Sequence, residues 1–139
     1  MNITTKSFSI STQGHTDIIN ITAEVANKIK ESGFQEGTLT VFVAGSTAGV
    51  TTIEFEPGLL QDLPEAFEEF APMDQTYHHD AAWGDGNGYA HVRAAILGPS
   101  VTIPVQAGKL ILGTWQQIVL IDFDNKSRNR EIIVQIMGR

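Results

Sequence analysis

The chain has 139 residues, of which 42% are hydrophobic and 18% are charged, and this composition predicts a domain with a buried core rather than a disordered chain. A formal net charge of −7, from 16 acidic and 9 basic residues, argues against nucleic acids and anionic membranes as partners, because both are bound through basic surfaces. The absence of cysteine excludes disulfides, thiolate metal ligands and a cysteine nucleophile.

The first part of the chain predicts two strands and a helix. Residues 3–11 are β-branched or alternate in polarity, which predicts an opening strand, and residues 15–21 predict a second one. Thr22 is predicted to be the N-cap of a helix that ends at Gly33. The face that this helix buries comprises Ile21, Val25 and Ile29.

Two further strands and a second helix are predicted in the middle of the chain. Residues 38–45 are almost continuously apolar, which predicts a buried strand, and the alternating residues 50–56 predict its neighbour. Pro57 is suited to the first position of a helix that continues to about Phe70, and Pro72 ends it. The inward stripe of this helix comprises Leu60, Leu63, Phe67 and Phe70.

The C-terminal part is predicted to be mostly strand. A short helix at 88–97 precedes four strand-forming segments, with Ala-Gly and Asp-Asn at their turns. These segments are 100–106, 109–112, 116–123 and 130–137. Because strands and helices show little βαβ alternation, we predict an α+β fold. It would be a single compact domain over residues 1–139, mostly an antiparallel β-sheet sandwich with two or three helices.

The segment TYHHDAAWGDGNGYAH (76–91) concentrates titratable and turn-forming residues. Its titratable side chains include His78, His79, Asp80, Asp85 and His91. The glycines around Asn87 predict a tight turn with free backbone N–H groups, to which a helix that starts at Gly88 would add its own amides. This arrangement predicts an anion site with His91 on the adjacent helical turn. The alternative is an ordinary loop whose histidines are solvated.

A second turn of small residues, GSTAG (45–49), lies between two predicted strands. Ser46 and Thr47 offer hydroxyl groups to a phosphate, and the flanking glycines permit close approach of the backbone. The turn lacks the Gly-Lys of a nucleoside-triphosphate loop, and its strand–turn–strand context is not that of a nucleophile elbow. A plain β-hairpin turn is the alternative.

Three long stretches resemble the YjbQ family, whose members are described as secondary thiamine-phosphate synthases. The stretches are GSTAGVTTIEFEPGL, HHDAAWGDGNGYAHVRAAILGPSVTIPV and KLILGTWQQIVLIDFDNKSRNREIIVQIMG, and the resemblance covers residues 38–137 nearly end to end. It implies a compact α+β domain, a homotrimer and a histidine-rich pocket that often holds a metal ion. It also implies weak activity that joins a pyrimidine pyrophosphate to a thiazole phosphate and releases pyrophosphate.

The resemblance also carries a set of site residues over to this chain. The matching pocket positions are Glu54, His79, Asp80, Asp85, Asn87 and His91. We expect Asp85, His79 and His91 to be catalytic. The expected substrate-binding set comprises Ser46, Thr47, Glu54, Gly86, Asn87 and Gly88. A divalent metal, Mg²⁺ or Zn²⁺, would use His79, His91 and Asp80.

The chain departs from the family pattern at two positions. Many members have histidine where this chain has Gly45 and Tyr89, so two candidate metal ligands are missing. Two functions therefore stay open: an enzyme acting on a phosphorylated small molecule, or a non-catalytic trimeric module that binds a phosphorylated metabolite.

Location and the remaining side chains complete the expectations. The N-terminal segment has no apolar run suited to a signal peptide, so we expect a cytoplasmic protein. Arg128 and Arg130 flank a turn and are expected to be solvated, whereas Arg93 would pair across a subunit contact or meet substrate. The two tryptophans, Trp83 and Trp115, would pack in the protein or stack on a substrate ring.

Overall fold

Two antiparallel sheets and four helices make up the molecule, and the computed structural model describes residues 1–139. The strands are β1 (Asn2–Thr12), β2 (Asp17–Asn20), β3 (Glu36–Val43), β4 (Ala48–Glu54), β5 (Ser100–Gln106), β6 (Lys109–Leu110), β7 (Gln116–Asp122) and β8 (Arg128–Gly138). The helices are α1 (Thr22–Ser32), α2 (Pro57–Phe70), α3 (His78–Trp83) and α4 (Gly88–Leu97). One sheet has the strand order β1-β8-β3-β5-β6 and the other has the order β2-β7-β4.

The core is divided into two layers by the three-stranded sheet. Strand β7 is buried on both faces, since Ile118 and Leu120 point to one side and Val119 and Ile121 to the other. The first side packs against the five-stranded sheet and α1, and the second packs against α2 and α4. The predicted α+β class with mostly antiparallel strands is confirmed, although there are four helices rather than two or three.

The path of β3 and β4 differs from the prediction. In β3 only alternate side chains are buried, because its other face is the outer face of the five-stranded sheet. Strand β4 is not its neighbour: β3 pairs with β5 and β8, whereas β4 pairs with β7 in the other sheet. The turn GSTAG is therefore a crossover between sheets and not a β-hairpin.

The helix predictions are largely confirmed. Helices α2 and α4 span 57–70 and 88–97 as predicted, and α1 ends at Gly33, whose φ of 74° is the left-handed conformation that glycine favours. The prediction of Thr22 as N-cap was wrong, since Ile21 holds that position and the Thr22 hydroxyl donates to Asn20 Oδ1 instead. In α2, Phe70 is exposed rather than part of the buried stripe.

None of the four helices has the length and hydropathy needed to cross a membrane; the longest, α2, has 14 residues.

Candidate functional site

Helix α3 and the start of α4 bring the carboxylates of the 76–91 segment together. Between them, Gly84 and Gly86 adopt φ values of 64° and 66°, which reverse the chain at little cost for glycine. Asp80 Oδ1 then accepts a hydrogen bond from the Gly88 amide at 2.8 Å, and Asp85 Oδ1 accepts one from the Asn87 amide at 3.2 Å. A ligand would therefore meet two carboxylates at this helix N-terminus, where the sequence predicted free amides.

His79 lies between the same two carboxylates. Its Nδ1 is 3.4 Å from Asp85 Oδ1 and 3.7 Å from Asp80 Oδ1, yet this buried nitrogen has no hydrogen-bond partner. One ligating atom from each of the three residues lies within 4.8 Å of the others. Two carboxylate oxygens and an imidazole nitrogen are donors that suit a divalent cation, with the carboxylates favouring Mg²⁺. The residues present thus fit the metal that the family resemblance implies.

His91 extends the site from this acidic cluster to a cavity. Its ring centroid is 4.1 Å from that of His79 on α3. Burial, followed by the neighbouring charge of His79, lowers the pKa of His91. The imidazole also lines a cavity of about 360 Å³ together with Gly45 and Ser46 of the crossover turn. The site therefore combines an acidic end at Asp80 and Asp85 with a cavity next to the GSTAG turn.

A buried polar network supports the site from beneath. The side chain of Asn87 donates to Asp124 Oδ2 at 3.1 Å and accepts from the Asn125 amide at 3.0 Å. Thr47 Oγ1 donates to the same Asp124 oxygen at 2.9 Å and accepts from Arg130 Nη2 at 2.6 Å. Two of the expected substrate-binding residues, Thr47 and Asn87, are thus buried and already bonded within the protein. Thr47 and Asn87 therefore hold the two turns of the site in place rather than face a ligand.

Asp124 is the centre of this network and stays ionised. Burial alone would raise its pKa, but hydrogen bonds from Thr47, Asn87 and Arg128, together with the charge of Arg128, outweigh it and lower the pKa. Arg128 Nε lies 3.1 Å from Asp124 Oδ2.

Arg130 forms a second buried ion pair that joins the two sheets. From β8 its Nε and Nη2 donate to both oxygens of Asp122 on β7, at 2.7 and 2.9 Å, and Thr12 Oγ1 donates to Asp122 at 2.6 Å. Asp122 is 0% exposed and Arg130 is 8% exposed. The expectation that Arg130 is solvated was wrong, because a carboxylate on the facing sheet was available to bury it.

Other predicted residues lie elsewhere. Glu54 is at the far end of β4, about 20 Å from Ala48 at a rise of about 3.3 Å per residue, and it lines a separate cavity with Phe55 and Trp115. His78, Ser46 and Gly86 are all exposed. Ser46 and Gly86 lie close to the site. Within one chain, Glu54 is therefore separate from the His79 cluster.

Tyr89 and Arg93 belong to the packing beneath α4. Tyr89 is buried with the α2 side chains, and its hydroxyl has no hydrogen-bond partner. Arg93 is buried as well: it donates to the Ala71 carbonyl at 3.0 Å and pairs with Glu68 at 2.6 Å, so it holds the end of α2. Neither side chain faces the cavity at Ser46.

Asp122, Asp124 and Arg130 belong to the network beneath the site but are not among the predicted site residues. A usable signal was present, since Asp122 and Asp124 are two residues apart and so share one side of an extended chain. Arg128 and Arg130 are also two residues apart. Two acidic residues and two basic residues with this spacing can face each other across two strands.

Comparison with known proteins identifies the family. The family model described as UPF0047 protein YjbQ-like matches residues 6–139. A UPF0047 protein of Methanothermobacter thermautotrophicus is 37% identical over 139 residues, which cover 100% of this chain and 95% of that protein. Bacillus subtilis YugU, also a UPF0047 protein, is 33% identical over 134 residues, covering 96% and 98%.

Solved structures give the same result. A YbjQ-like protein of unknown function from Sulfolobus solfataricus P2 superposes with a TM-score of 0.94 at 33% identity, covering 99% of both chains. A hypothetical protein from Aeropyrum pernix K1 superposes with a TM-score of 0.91 at 32% identity, covering 98% of this chain and 99% of the other. The chain therefore belongs to the YjbQ-like UPF0047 family.

Proposed function

We propose that this protein is an enzyme that binds phosphorylated small molecules together with a divalent cation, and that it joins a pyrimidine pyrophosphate to a thiazole phosphate. The observation that carries the proposal is the convergence of His79, Asp80 and Asp85, with an unpartnered imidazole nitrogen between two carboxylates. Carboxylates bind a pyrophosphate through a cation and not directly, so this end of the site suits a metal–pyrophosphate substrate.

The reaction is a substitution with pyrophosphate as the leaving group. The thiazole nitrogen attacks the methylene carbon that bears the pyrophosphate. The new C–N bond forms as the C–O bond breaks, and the pyrophosphate departs with the electron pair. No proton has to move in this step, so the protein contributes positioning and charge stabilisation. A divalent cation held by His79, Asp80 and Asp85 would supply charge that stabilises the departing pyrophosphate.

His91 has a different part in this scheme. Its lowered pKa keeps the imidazole neutral at neutral pH, so it offers one N–H donor and one acceptor rather than a positive charge. Its position between His79 and the cavity suits it to orient a substrate oxygen. The Ser46 hydroxyl, exposed on the other wall of the cavity, is a second neutral donor.

The test measures pyrophosphate release from the two phosphorylated substrates in the presence of Mg²⁺. Asp85→Asn should reduce turnover on the order of 100-fold, because charge stabilisation by a bound cation is worth several kcal/mol. Asp62→Asn is the matched control, since Asp62 is exposed on α2 and is not among the residues of the site. Equal turnover in wild type and Asp85→Asn would refute the proposed role of this carboxylate.

A second candidate function is binding without turnover. The departures at Gly45 and Tyr89 favour it, because the site lacks two histidines present in many members and Tyr89 is buried away from the cavity. A non-catalytic module should bind pyrophosphate saturably and melt at a higher temperature with ligand, yet release no product in any variant.

We also propose that the protein assembles as a homotrimer. Large apolar side chains remain uncovered in the single chain: Trp83 is 76% exposed and Trp115 is 71% exposed. Neither tryptophan packs within the chain, so contacts between subunits are one way to cover them.

A further inference from the structure

The guanidinium of Arg130 is fixed on two of its three nitrogens. Nε and Nη2 form the paired hydrogen bonds to Asp122, and Nη2 also donates to Thr47. The guanidinium therefore keeps one orientation, because it is planar and binds both carboxylate oxygens of Asp122. The third nitrogen, Nη1, therefore points in a direction that the protein sets.

Nη1 has no protein partner and is still reachable from outside. It takes part in none of the hydrogen bonds of Arg130. It is also absent from the fully buried atoms that lack a partner, so the small exposed surface of this residue includes Nη1. Two N–H donors of a permanent cation are thus unused.

Gly45 is the residue that allows Nη1 to reach this position. A Cβ at Gly45 would lie 2.7 Å from Nη1, closer than two such atoms can approach. Gly45 is exposed and lines the 360 Å³ cavity with Ser46 and His91. Arg130 itself does not line the cavity, and its guanidinium lies directly behind Gly45, where the cavity wall has no side chain.

Charge decides what the cavity can accept at this wall. The opposite end of the site carries Asp80 and Asp85, which repel an anion unless a cation lies between them. Ser46, which lines the cavity beside His91, carries no charge. The unused side of Arg130 then offers a cationic donor behind Gly45 that does not titrate, although the charge of this residue is paired with Asp122.

We propose that Arg130 Nη1, exposed through the gap at Gly45, binds the anionic phosphoryl group of the substrate. This inference rests on the proposed function, since it names which part of the chain holds the phosphate that is remote from the cation cluster. Arg130 is in this respect a substrate-binding residue as well as the partner of Asp122. Ser46 and His91 would complete the shell with hydrogen bonds.

The test is calorimetric titration of the full chain with inorganic pyrophosphate, with EDTA and with Mg²⁺, in wild type and two variants. Arg130→Lys keeps a positive charge to pair with Asp122, but its single ammonium group has no equivalent of Nη1 next to Gly45. Gly45→Ala places a methyl group against Nη1 and leaves Arg130 itself unchanged. Gly113→Ala is the matched control, because its Cβ would make only an ordinary contact, 3.5 Å from Gln116 at the far end of β7.

Wild type should bind pyrophosphate in EDTA, and both variants should bind it about tenfold more weakly, as expected for a lost charge-assisted hydrogen bond. The control should bind as wild type does. Circular dichroism melting establishes that each variant is folded. If Arg130→Lys does not fold, the binding measured for Gly45→Ala tests the inference by itself.

Three results overturn the inference, the third of them together with the proposed function. Folded variants that bind as tightly as wild type in EDTA would show that Nη1 faces only solvent. Binding by wild type solely in Mg²⁺, and with equal affinity in Arg130→Lys and Gly45→Ala, would remove the inference while leaving the proposed function intact. No binding by wild type under either condition would overturn the proposed function and this inference together.

Discussion

Replacing Asp122 by asparagine tests whether the ion pair between the sheets stabilises the fold. Asp122 is fully buried and accepts hydrogen bonds from Arg130, from the Thr12 hydroxyl and from the Asp124 amide. Asparagine removes the negative charge and turns an NH₂ group toward donors that need an acceptor. The guanidinium of Arg130 is then left buried without its counter-charge.

The expected loss follows from the geometry. Breaking a buried pair by removing one partner costs about 3–5 kcal/mol. The lower end applies, about 3 kcal/mol, because Asp124 Oδ2 lies 3.7 Å from Arg130 Nη2 and compensates part of the charge. At about 4 °C per kcal/mol for a chain of this size, the melting temperature should fall by about 12 °C.

Urea unfolding and thermal melting of five proteins measure this loss: wild type, Asp122→Asn, Arg130→Gln, the exposed control Asp62→Asn and the double variant Asp122→Asn/Arg130→Gln. The double variant should recover about 1 kcal/mol or more, since removing both charges leaves no unpaired ion. A single variant that melts with the control would refute the reasoning. So would a double variant whose loss equals the sum of the two single losses.

Three further predictions concern pH, metal and assembly. The folded-state pKa of Asp124 is depressed, so this carboxylate stabilises the fold fully above its unfolded pKa of about 3.9. The stabilisation disappears as the pH falls through the folded-state pKa. Asp124→Asn should therefore reduce the loss of stability at acid pH measured by urea unfolding, and an unchanged acid dependence would contradict this. Mg²⁺ should raise the melting temperature of wild type but not of His79→Ala, and an equal rise in both would place the cation elsewhere. Light scattering should give three times the 15.1 kDa chain mass, and a monomer mass would contradict the trimer.

Features that depend on neighbouring residues were predictable from the sequence. Pro57 and Pro72 bound α2, and Gly98 with Pro99 follows α4, so local chemistry fixed both helices. The cluster of His79, Asp80 and Asp85 was predictable for the same reason, since a short helix and the turn after it hold all three.

Features that depend on distant partners were not predictable. Helix α3 buries none of its side chains and is secured by the bond from the Gly88 amide to Asp80, so no apolar period marks it. The burial of Arg130 requires that β8 and β7 lie in different sheets, and the spacing of Arg128 and Arg130 does not indicate which sheet lies opposite. The crossover at GSTAG has the same cause, because strand–turn–strand sequences serve hairpins and crossovers alike.

The register of β1 has a consequence for how the protein is made. β1 is an edge strand whose neighbour in the sheet is β8, and the pairing runs from Asn2 opposite Gly138 to Thr12 opposite Arg128. During synthesis β1 stays unpaired until β8 has left the ribosome. Such long-range pairing is slow, because closing so long a loop costs entropy before any contact repays it. Arg130 lies on β8, so a nascent chain carries Asp122 without its partner until β8 has been made.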